Sequence, residues 1–252
     1  MVAEWWAAFN TGGPEIAYFG GFVARGQPAL DAGCGTGRLL LPWLEAGYDV
    51  DGCDVSADMI ELCRREAPDA TLFVEALHEL DPPRRYRTIV ACGVFGLGST
   101  RAQDAEALRR LHAALEPGGL LLLDHEVPWA NARRWTQWTR AERERLPEPW
   151  PGEGERRTAP NGAEYALASR ALSIDPLDGS MVLEIRAKKW REGRLVATEE
   201  RPISIRSYFK DELVLTLERA GFADVEVNGG YSGAEPSADD EFLVYLARRA
   251  GR

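Results

Sequence analysis

Three glycines placed two residues apart constrain this chain more than any other feature of its sequence. Gly33, Gly35 and Gly37 lie in the stretch LDAGCGTGRLL, after Asp31 and before a leucine-rich segment. The residues before them predict a strand and the segment 38–46 predicts a helix. A glycine turn between a strand and a helix exposes backbone N–H groups where the helix dipole favours negative charge. The loop therefore suits a phosphate, a carboxylate or a ribose, although a glycine turn without a ligand is the alternative.

Composition points to a folded protein with a small-molecule partner. The chain has 252 residues, 45% of them apolar, which is enough for a substantial core. The formal net charge of -10, with no long run of lysine and arginine, argues against nucleic acid as the partner. No segment reaches the roughly 18 apolar residues that span a bilayer, and the N-terminus lacks the pattern of a signal peptide. We expect no membrane association and a cytoplasmic location.

Cysteine and metal-ligand spacing predict no metal site. The four cysteines are irregularly spaced and form no C-x-x-C pair, so we expect reduced, mostly buried thiols. Asp124, His125 and Glu126 are adjacent, but three successive residues in an extended segment do not converge on one ion.

Alternating strand and helix patterns in the first half predict an α/β fold with a parallel sheet. The five predicted strands are contained in PALDAG, YDVDGCDVS, ATLFVEA, RTIVACGVF and LLLLD. Ser56 is placed to cap the helix that follows the second strand. Near the C-terminus, a helix in KDELVLTLERAG precedes two strand-like runs, ADVEVNG and EFLVYLARR, which can pair as a hairpin at the sheet edge.

The middle of the chain breaks this alternation. Residues 129–161 are rich in Arg, Glu, Pro and Trp and predict an irregular connection, and 163–206 predict three strands of an antiparallel meander. We therefore expect a main domain from 1–128 and 207–252, with 129–206 inserted into it.

An acid at the end of the second strand narrows the choice of ligand. Asp54 follows the glycine loop by about twenty residues, where nucleotide-binding sheets place an acid that accepts hydrogen bonds from ribose hydroxyls. A dinucleotide-binding oxidoreductase shares this feature, but its G-x-G-x-x-G fingerprint requires glycine where this chain has Arg38. The phosphate-binding pattern G-x-x-x-x-G-K-[ST] is also missing.

Taken together, the motifs LDAGCGTGR, GCDVSADMI, FVEALHEL, CGVFGLG and LEPGGLLLLD resemble the class I S-adenosylmethionine-dependent methyltransferases, and specifically the small-molecule methyltransferase-like proteins of bacteria. The resemblance covers most of residues 28–126, and RAGFADVEV and FLVYLARR match the terminal hairpin. It implies a Rossmann-like seven-stranded sheet with five parallel strands and a C-terminal antiparallel hairpin, and an antiparallel β insertion as a roof over the acceptor. One departure is that Tyr86 is followed by Arg87, where relatives usually have aspartate.

The resemblance also implies a site for the cofactor S-adenosyl-L-methionine. The glycine loop would line its methionine portion, Asp54 would hold the ribose hydroxyls, and residues after the second and third strands would contact the adenine. The residues implied in cofactor binding are Asp31, Gly33, Gly35, Gly37, Asp54, Val55, Met59, Glu75, Ala76, Leu77, Cys92 and Gly93.

Catalysis of methyl transfer needs few special groups. The reaction is an in-line displacement, so holding the reactants at near-attack distance in a dry cavity supplies most of the acceleration. A base helps when the acceptor is a hydroxyl or an ammonium. His125, just beyond the fifth strand, is the first candidate for that base; a hydrogen-bonded loop histidine is the alternative, and Glu126 could serve instead. Tyr18 is the second candidate, because the N-terminal segment of similar methyltransferases folds over the cofactor as a lid.

Aromatic residues outside the sheet predict the acceptor pocket. Candidates are Phe9, Trp129, Trp135, Trp138, Arg206 and Tyr208. The competing interpretation is that the N-terminal aromatics and the tryptophans only pack the helix and the meander onto the main domain.

The leading hypothesis is thus a methyltransferase that acts on an N, O or C atom of a small molecule, with secondary metabolism as the expected setting. A nicotinamide-dependent oxidoreductase and a non-catalytic S-adenosylmethionine-binding module are the alternatives. Methyltransferases of nucleic-acid bases usually carry an Asn/Asp-Pro-Pro-aromatic run after the fourth strand, whereas this chain has CGVF. The sequence leaves the acceptor and the oligomeric state open.

Overall fold

Two β-sheets organise the chain in the computed structural model, which describes residues 1–251. The helices are α1 (Val2–Phe9), α2 (Pro14–Val23), α3 (Leu40–Glu45), α4 (Ala57–Glu66), α5 (Arg101–Ala114), α6 (Ala132–Thr136), α7 (Arg140–Arg143), α8 (Lys210–Arg219) and a 3-10 turn, η1 (Gly230–Ser232). The strands are β1 (Ala29–Ala32), β2 (Val50–Asp54), β3 (Leu72–Val74), β4 (Tyr86–Ala91), β5 (Leu115–Glu126), β6 (Arg156–Thr158), β7 (Glu164–Asp175), β8 (Ser180–Arg191), β9 (Arg194–Arg206), β10 (Phe222–Gly229) and β11 (Phe242–Arg249).

The larger sheet has seven strands in the order β10-β11-β5-β4-β1-β2-β3. Strands β1 to β5 pair in parallel, and β11 pairs antiparallel with both β5 and β10. This confirms the predicted α/β sheet with five parallel strands and a C-terminal antiparallel hairpin. The chain runs from β1 outward to β3 and then returns to β4 on the other side of β1. Ligands of such sheets bind in the crevice at the carboxyl ends of the strands near this switch point.

Alternate residues of β1 enter two apolar layers, one on each face of the sheet. Leu30 packs in the layer that also holds Leu108 of α5 and Leu213 of α8. Ala29 packs in the opposite layer, with Phe19 of α2. All four residues of β1 are buried, as expected for a central parallel strand covered by helices on both faces.

Most local predictions in the main sheet are confirmed. Ser56 caps α4, because its hydroxyl oxygen accepts a hydrogen bond from the Met59 N–H at 3.3 Å. Two boundaries differ from the prediction. Strand β5 begins at Leu115, within the segment predicted to end a helix, because Leu115 already pairs with Tyr86 of β4. The segment predicted to be irregular contains α6, α7 and β6, whose three residues are all exposed and therefore show no apolar alternation.

The four-stranded antiparallel sheet, in the order β6-β7-β8-β9, is attached to the loop after β4. Gly98 donates its N–H to the Ser204 carbonyl at 2.7 Å, and Arg206 donates its N–H to the Gly96 carbonyl at 2.8 Å. Leu97 lies between them and bridges to β9. The last strand of the small sheet is thereby fixed beside the carboxyl end of β4.

A buried polar cluster strengthens this junction. Asp104 of α5 accepts a hydrogen bond from the Tyr208 hydroxyl at 2.7 Å and lies 3.3 Å from the Arg206 Nε atom. All three side chains are buried. Because an unpaired buried charge is costly, the Asp104 and Arg206 pair ties the end of β9 to the main domain.

Within residues 1–251, no helix has the length and apolar character needed to cross a bilayer.

Substituting Gly96 tests how closely the two sheets are joined. Gly96 has φ +78°, and a Cβ atom there would lie 2.7 Å from the Arg206 carbonyl oxygen. We expect Gly96→Ala to lower the free energy of unfolding by about 2–4 kcal/mol, from left-handed strain plus overpacking against backbone. Gly98→Ala is the matched control, because Gly98 has φ +70° with nothing within 4 Å of the added atom. It should cost only about 1–2 kcal/mol, from strain alone. Urea unfolding measures both, and equal losses would contradict the close approach.

Candidate active site

A cleft opens at the carboxyl ends of β1 to β4, where the topology predicts a ligand site. Its walls come from the glycine loop, the ends of β2 and β3, the loop after β4 and the first turns of α5. The lining includes Gly33, Asp54, Val55, Glu75, Ala76, Leu77, His78, Val94, Phe95 and Leu97. Six of these residues were predicted from the sequence to bind the cofactor, and the fold brings all six together.

The glycine loop presents bare backbone to this region. A Cβ atom on Gly33 would lie 2.3 Å from Cγ1 of Val94, so only glycine fits there without displacing that side chain. Gly35 has φ +55° and open space where its Cβ would be. The Gly33 and Cys34 N–H groups donate to the Cys53 carbonyl oxygen at 2.7 and 2.8 Å, which fastens the loop to β2. The loop is thus held in place and leaves room for a ligand against its backbone.

Asp54 ends β2 at the edge of the cleft. One carboxylate oxygen accepts the Gly35 N–H at 2.9 Å, and the other accepts the Ser56 N–H at 2.8 Å. Burial raises the pKa of Asp54, and these two hydrogen bonds oppose the rise. Since a carboxylate oxygen can accept more than one hydrogen bond, both oxygens retain capacity to accept hydroxyl groups of a ligand.

Asp31 is the most unusual carboxyl group of the cleft region. It is 2% exposed, and among residues 1–251 its Oδ2 atom has no hydrogen-bond partner. Burial raises the pKa of Asp31 to about 8, and the nearby charge of Asp54 adds to the rise. A buried carboxylate without a partner is costly, so this position favours either a bound proton or a positively charged ligand group.

The other residues implied in cofactor binding lie around the same edge of the sheet. Val55 lines the cleft and is 71% exposed, so its side chain is accessible to a ligand. Glu75 lines the cleft and accepts the Asp81 N–H at 3.1 Å. Met59 is half-buried on the first turn of α4.

Cys92 and Gly93 follow β4 and are joined to Asp124 at the end of β5. The Asp124 carboxylate accepts hydrogen bonds from the Cys92 thiol at 3.0 Å, from the Gly93 N–H and from the Tyr231 hydroxyl. Burial raises the pKa of Cys92 well above its usual range, which keeps the thiol protonated and able to donate. The sequence interpretation missed this role of Asp124 and Tyr231, although an acid at the end of a parallel strand is a recognisable signal. The two residues are 107 positions apart, so no local sequence pattern indicates their contact.

A second cavity adjoins the cleft and has a volume of about 190 Å³. Phe95 and Leu97 line both spaces, so the two are neighbours. The complete lining is Gly93, Phe95, Leu97, Asp124, His125, Glu126, Ile205 and Phe242. Ile205 belongs to β9, so the four-stranded sheet supplies part of the wall.

His125 lies in the wall of this second cavity as a neutral side chain. Its Nε2 atom accepts a hydrogen bond from the Tyr208 N–H at 3.0 Å, which assigns the imidazole proton to Nδ1. Burial lowers the pKa of His125 to about 4. In this arrangement Nδ1 is a donor and Nε2 is already occupied. The neighbouring Glu126 forms an ion pair with Arg134.

The N-terminal helices close over this region. Glu15 of α2 is buried and forms an ion pair with Arg38, whose guanidinium lies 3.6 Å from the Cys92 sulfur. The Tyr18 ring of α2 lies 5.9 Å from the Tyr231 ring, which itself contacts Asp124. Helix α1 packs on both α4 and β7 and so bridges the two sheets.

Phe9, on α1, lies apart from Tyr18. Its ring packs edge-on against Tyr165 of β7 at 6.2 Å, and the Arg157 guanidinium covers it at 4.3 Å. Phe9 thus packs on the four-stranded sheet, whereas Tyr18 lies in the region near Asp124.

The remaining residues proposed for the acceptor occupy two separate places. Trp129 and Trp135 are partly exposed and pack around Phe209, at 6.0 and 6.5 Å between ring centroids. Trp138, between α6 and α7, is half-buried. Arg206 and Tyr208 are the buried partners of Asp104 described above. The sequence did not indicate that Asp104 of α5 would contact both Arg206 and Tyr208.

No group of three or more His, Cys, Asp or Glu side chains within residues 1–251 is arranged to hold a metal ion.

Comparison with known proteins identifies the first half of the chain. Residues 29–119 match the family model described as a methyltransferase domain. A dTDP-3-amino-3,6-dideoxy-alpha-D-glucopyranose N,N-dimethyltransferase from Streptomyces fradiae is 33% identical over 122 residues, 46% of this chain and 46% of that protein. A ubiquinone biosynthesis O-methyltransferase from Bradyrhizobium sp. is 32% identical over 103 residues, 39% of each chain. The match thus spans less than half the length of these curated relatives.

Solved structures extend the likeness over nearly the whole chain. The CcbJ methyltransferase from Streptomyces caelestis superposes with a TM-score of 0.69 at 22% identity, covering 94% of this chain and 89% of that one. The sugar N-methyltransferase KedS8 from Streptoalloteichus sp. gives 0.68 at 16% identity, covering 93% and 88%. At these identities the likeness establishes the fold. The comparisons thus show a methyltransferase domain over residues 29–119 and the fold of these methyltransferases over nearly the whole chain.

Proposed function

We propose that this protein transfers a methyl group from S-adenosylmethionine to a small-molecule acceptor. The observation that carries the proposal is the cleft, which combines Gly33 of the glycine loop with the carboxylate of Asp54. The unpartnered buried carboxyl of Asp31 lies in β1, directly before that loop. S-adenosylmethionine, when bound, supplies a methyl group made electrophilic by its sulfonium.

The residues present fit the chemical groups of that cofactor. The unpartnered Oδ2 atom of Asp31 suits the ammonium of its methionine portion, because the charged pair removes the cost of an isolated buried carboxylate. Asp54 has lone pairs available to ribose hydroxyls. The exposed side chain of Val55 and the half-buried Leu77 offer an apolar surface to adenine.

The chain's own contribution to the reaction is to position the reactants and exclude water. No nucleophilic side chain is required for an in-line displacement, so orientation in an enclosed site provides most of the effect. Helices α1 and α2 form a lid. Within it the Tyr18 ring lies 5.9 Å from the Tyr231 ring, whose hydroxyl donates a hydrogen bond to Asp124. With its proton on Nδ1, His125 orients an acceptor by donating a hydrogen bond; serving as a base would require release of the Tyr208 N–H.

The acceptor would enter under a roof made by residues 129–206, with 1–128 and 207–252 as the cofactor-binding domain. Ile205 of β9 lines the second cavity and so supports this division. The relatives support a small acceptor, since one is named for an amino sugar nucleotide and the other for ubiquinone biosynthesis. We place this protein in secondary metabolism on the same grounds.

Binding of S-adenosylhomocysteine, the cofactor product, tests the role of Asp54. We expect Asp54→Asn to weaken binding at least about tenfold, because a charged acceptor of hydroxyl hydrogen bonds is lost. Asp58→Asn is the matched control, since Asp58 is exposed on the first turn of α4, and its affinity should equal that of the unchanged protein. Isothermal titration calorimetry gives the affinities.

The same preparation is then incubated with methyl-labelled S-adenosylmethionine and a panel of amino sugars, phenols and quinols. Transfer of label to an acceptor is the expected result. No binding by the unchanged protein, or equal binding by the Asp54 variant, would contradict the proposal, and binding with no transfer to any acceptor would favour a non-catalytic module.

The raised pKa of Asp31 predicts how cofactor binding depends on pH. Its pKa of about 8 means that the free protein holds a proton there at pH 6, and an ammonium ligand favours the ionised form. Affinity for S-adenosylhomocysteine should therefore rise between pH 6 and 8, by at most about tenfold per pH unit, with proton release on binding. Asp31→Asn should remove this rise. Calorimetry in buffers of different ionisation enthalpy measures the affinity and the number of protons released. If affinity depends on pH in the same way for Asp31→Asn and the unchanged protein, Asp31 is not the cause of the rise.

A further inference from the structure

Asp124 is a buried carboxylate whose hydrogen-bond donors are all neutral. It is 2% exposed, and within residues 1–251 it accepts from a thiol, a backbone N–H and a phenol, those of Cys92, Gly93 and Tyr231. Three donors satisfy much of its hydrogen-bonding capacity, but none of them brings a positive charge. Burying such a charge without a counter-charge is unfavourable even when it is hydrogen-bonded.

Two cationic side chains that contact neighbours of Asp124 are engaged with other acids. Arg134 forms an ion pair with Glu126, which lines the same cavity, and Arg38 forms an ion pair with Glu15. Burial lowers the pKa of His125 to about 4, so its imidazole adds no positive charge at neutral pH. The second cavity therefore has an excess of negative charge, which comes from Asp124.

The shape and remaining walls of this cavity suit a small organic cation. Its volume is about 190 Å³, and an engineered apolar cavity of about 150 Å³ is known to hold benzene. A six-membered ring with one substituent thus fits. Phe95 and Phe242 are in the wall, and aromatic faces attract ammonium groups.

We propose that the second cavity binds the methyl acceptor through a protonated amino group, and that Asp124 is the carboxylate that holds it. The inference rests on the proposed function and narrows the acceptor to an amine. Glu126 contributes little to this selectivity, because Arg134 already balances its charge.

A matched pair of probes tests the proposal. Cyclohexylamine and cyclohexanol have nearly the same shape and differ in charge at pH 7.5. In calorimetric titrations of the protein saturated with S-adenosylhomocysteine, we expect the amine to bind at least about tenfold more tightly, which corresponds to about 1.4 kcal/mol. Asp124→Asn should reduce amine affinity to that of the alcohol. The double variant Glu126→Gln with Arg134→Gln removes both charges of the neighbouring ion pair and leaves the net charge of the cavity unchanged, so it should alter amine affinity by less than about threefold.

The controls separate a failure of this inference from a failure of the proposed function. Thermal unfolding and S-adenosylhomocysteine affinity are measured for each variant, and the titrations are repeated without that ligand. If Asp124→Asn does not fold, Tyr231→Phe replaces it; this variant removes one donor, keeps the carboxylate and should retain the preference for the amine. Equal binding of the two probes, or binding of neither, would overturn the inference while leaving cofactor binding intact. A loss in Asp124→Asn of affinity for S-adenosylmethionine but not for S-adenosylhomocysteine would also overturn it, because Asp124 would then balance the sulfonium.

Discussion

Three carboxyl groups at the ends of parallel strands impose the main electrostatic constraint on this protein. Asp31, Asp54 and Asp124 end or nearly end β1, β2 and β5, which brings them to one edge of the sheet. Each is wholly or largely removed from water, so each needs hydrogen bonds, a proton or a positively charged partner. The surrounding loops meet this need in different ways. The structure of the whole edge follows from how each carboxyl group is satisfied.

Asp54 and Asp124 are satisfied mainly by backbone and side-chain donors, and in doing so they fasten loops together. Asp54 fixes Gly35 of the glycine loop, and Asp124 draws the end of β4 and the η1 turn towards β5. Asp31 is different, because one of its oxygens has no partner within residues 1–251. The three acids thus differ in how far the protein itself satisfies them: Asp54 and Asp124 each accept several hydrogen bonds, and Asp31 leaves one oxygen free for a ligand.

Structural features that depend on residues close in the sequence could be predicted, and contacts between residues far apart in the sequence could not. The parallel strands, the cap of α4 and six residues of the cleft could be predicted, because each depends on a local pattern or on the rule that strand ends converge. Strand β6 could not be predicted, since its exposed residues carry no apolar alternation. The acceptor role of Tyr208 and Arg206 stays a prediction, whereas their contact with Asp104, a charge on a helix about 100 positions earlier, could not be predicted from the sequence.

By itself the sequence determined the α/β class, the five parallel strands and the edge of the sheet at which the cleft opens. It could do so because apolar periodicity and glycine placement act over a few residues. Only the tertiary structure decided which groups meet across that edge: Tyr231 with Asp124, Glu15 with Arg38, and β9 with the loop after β4. These contacts depend on how distant segments pack, and their energies come from burial and charge pairing that no local pattern encodes.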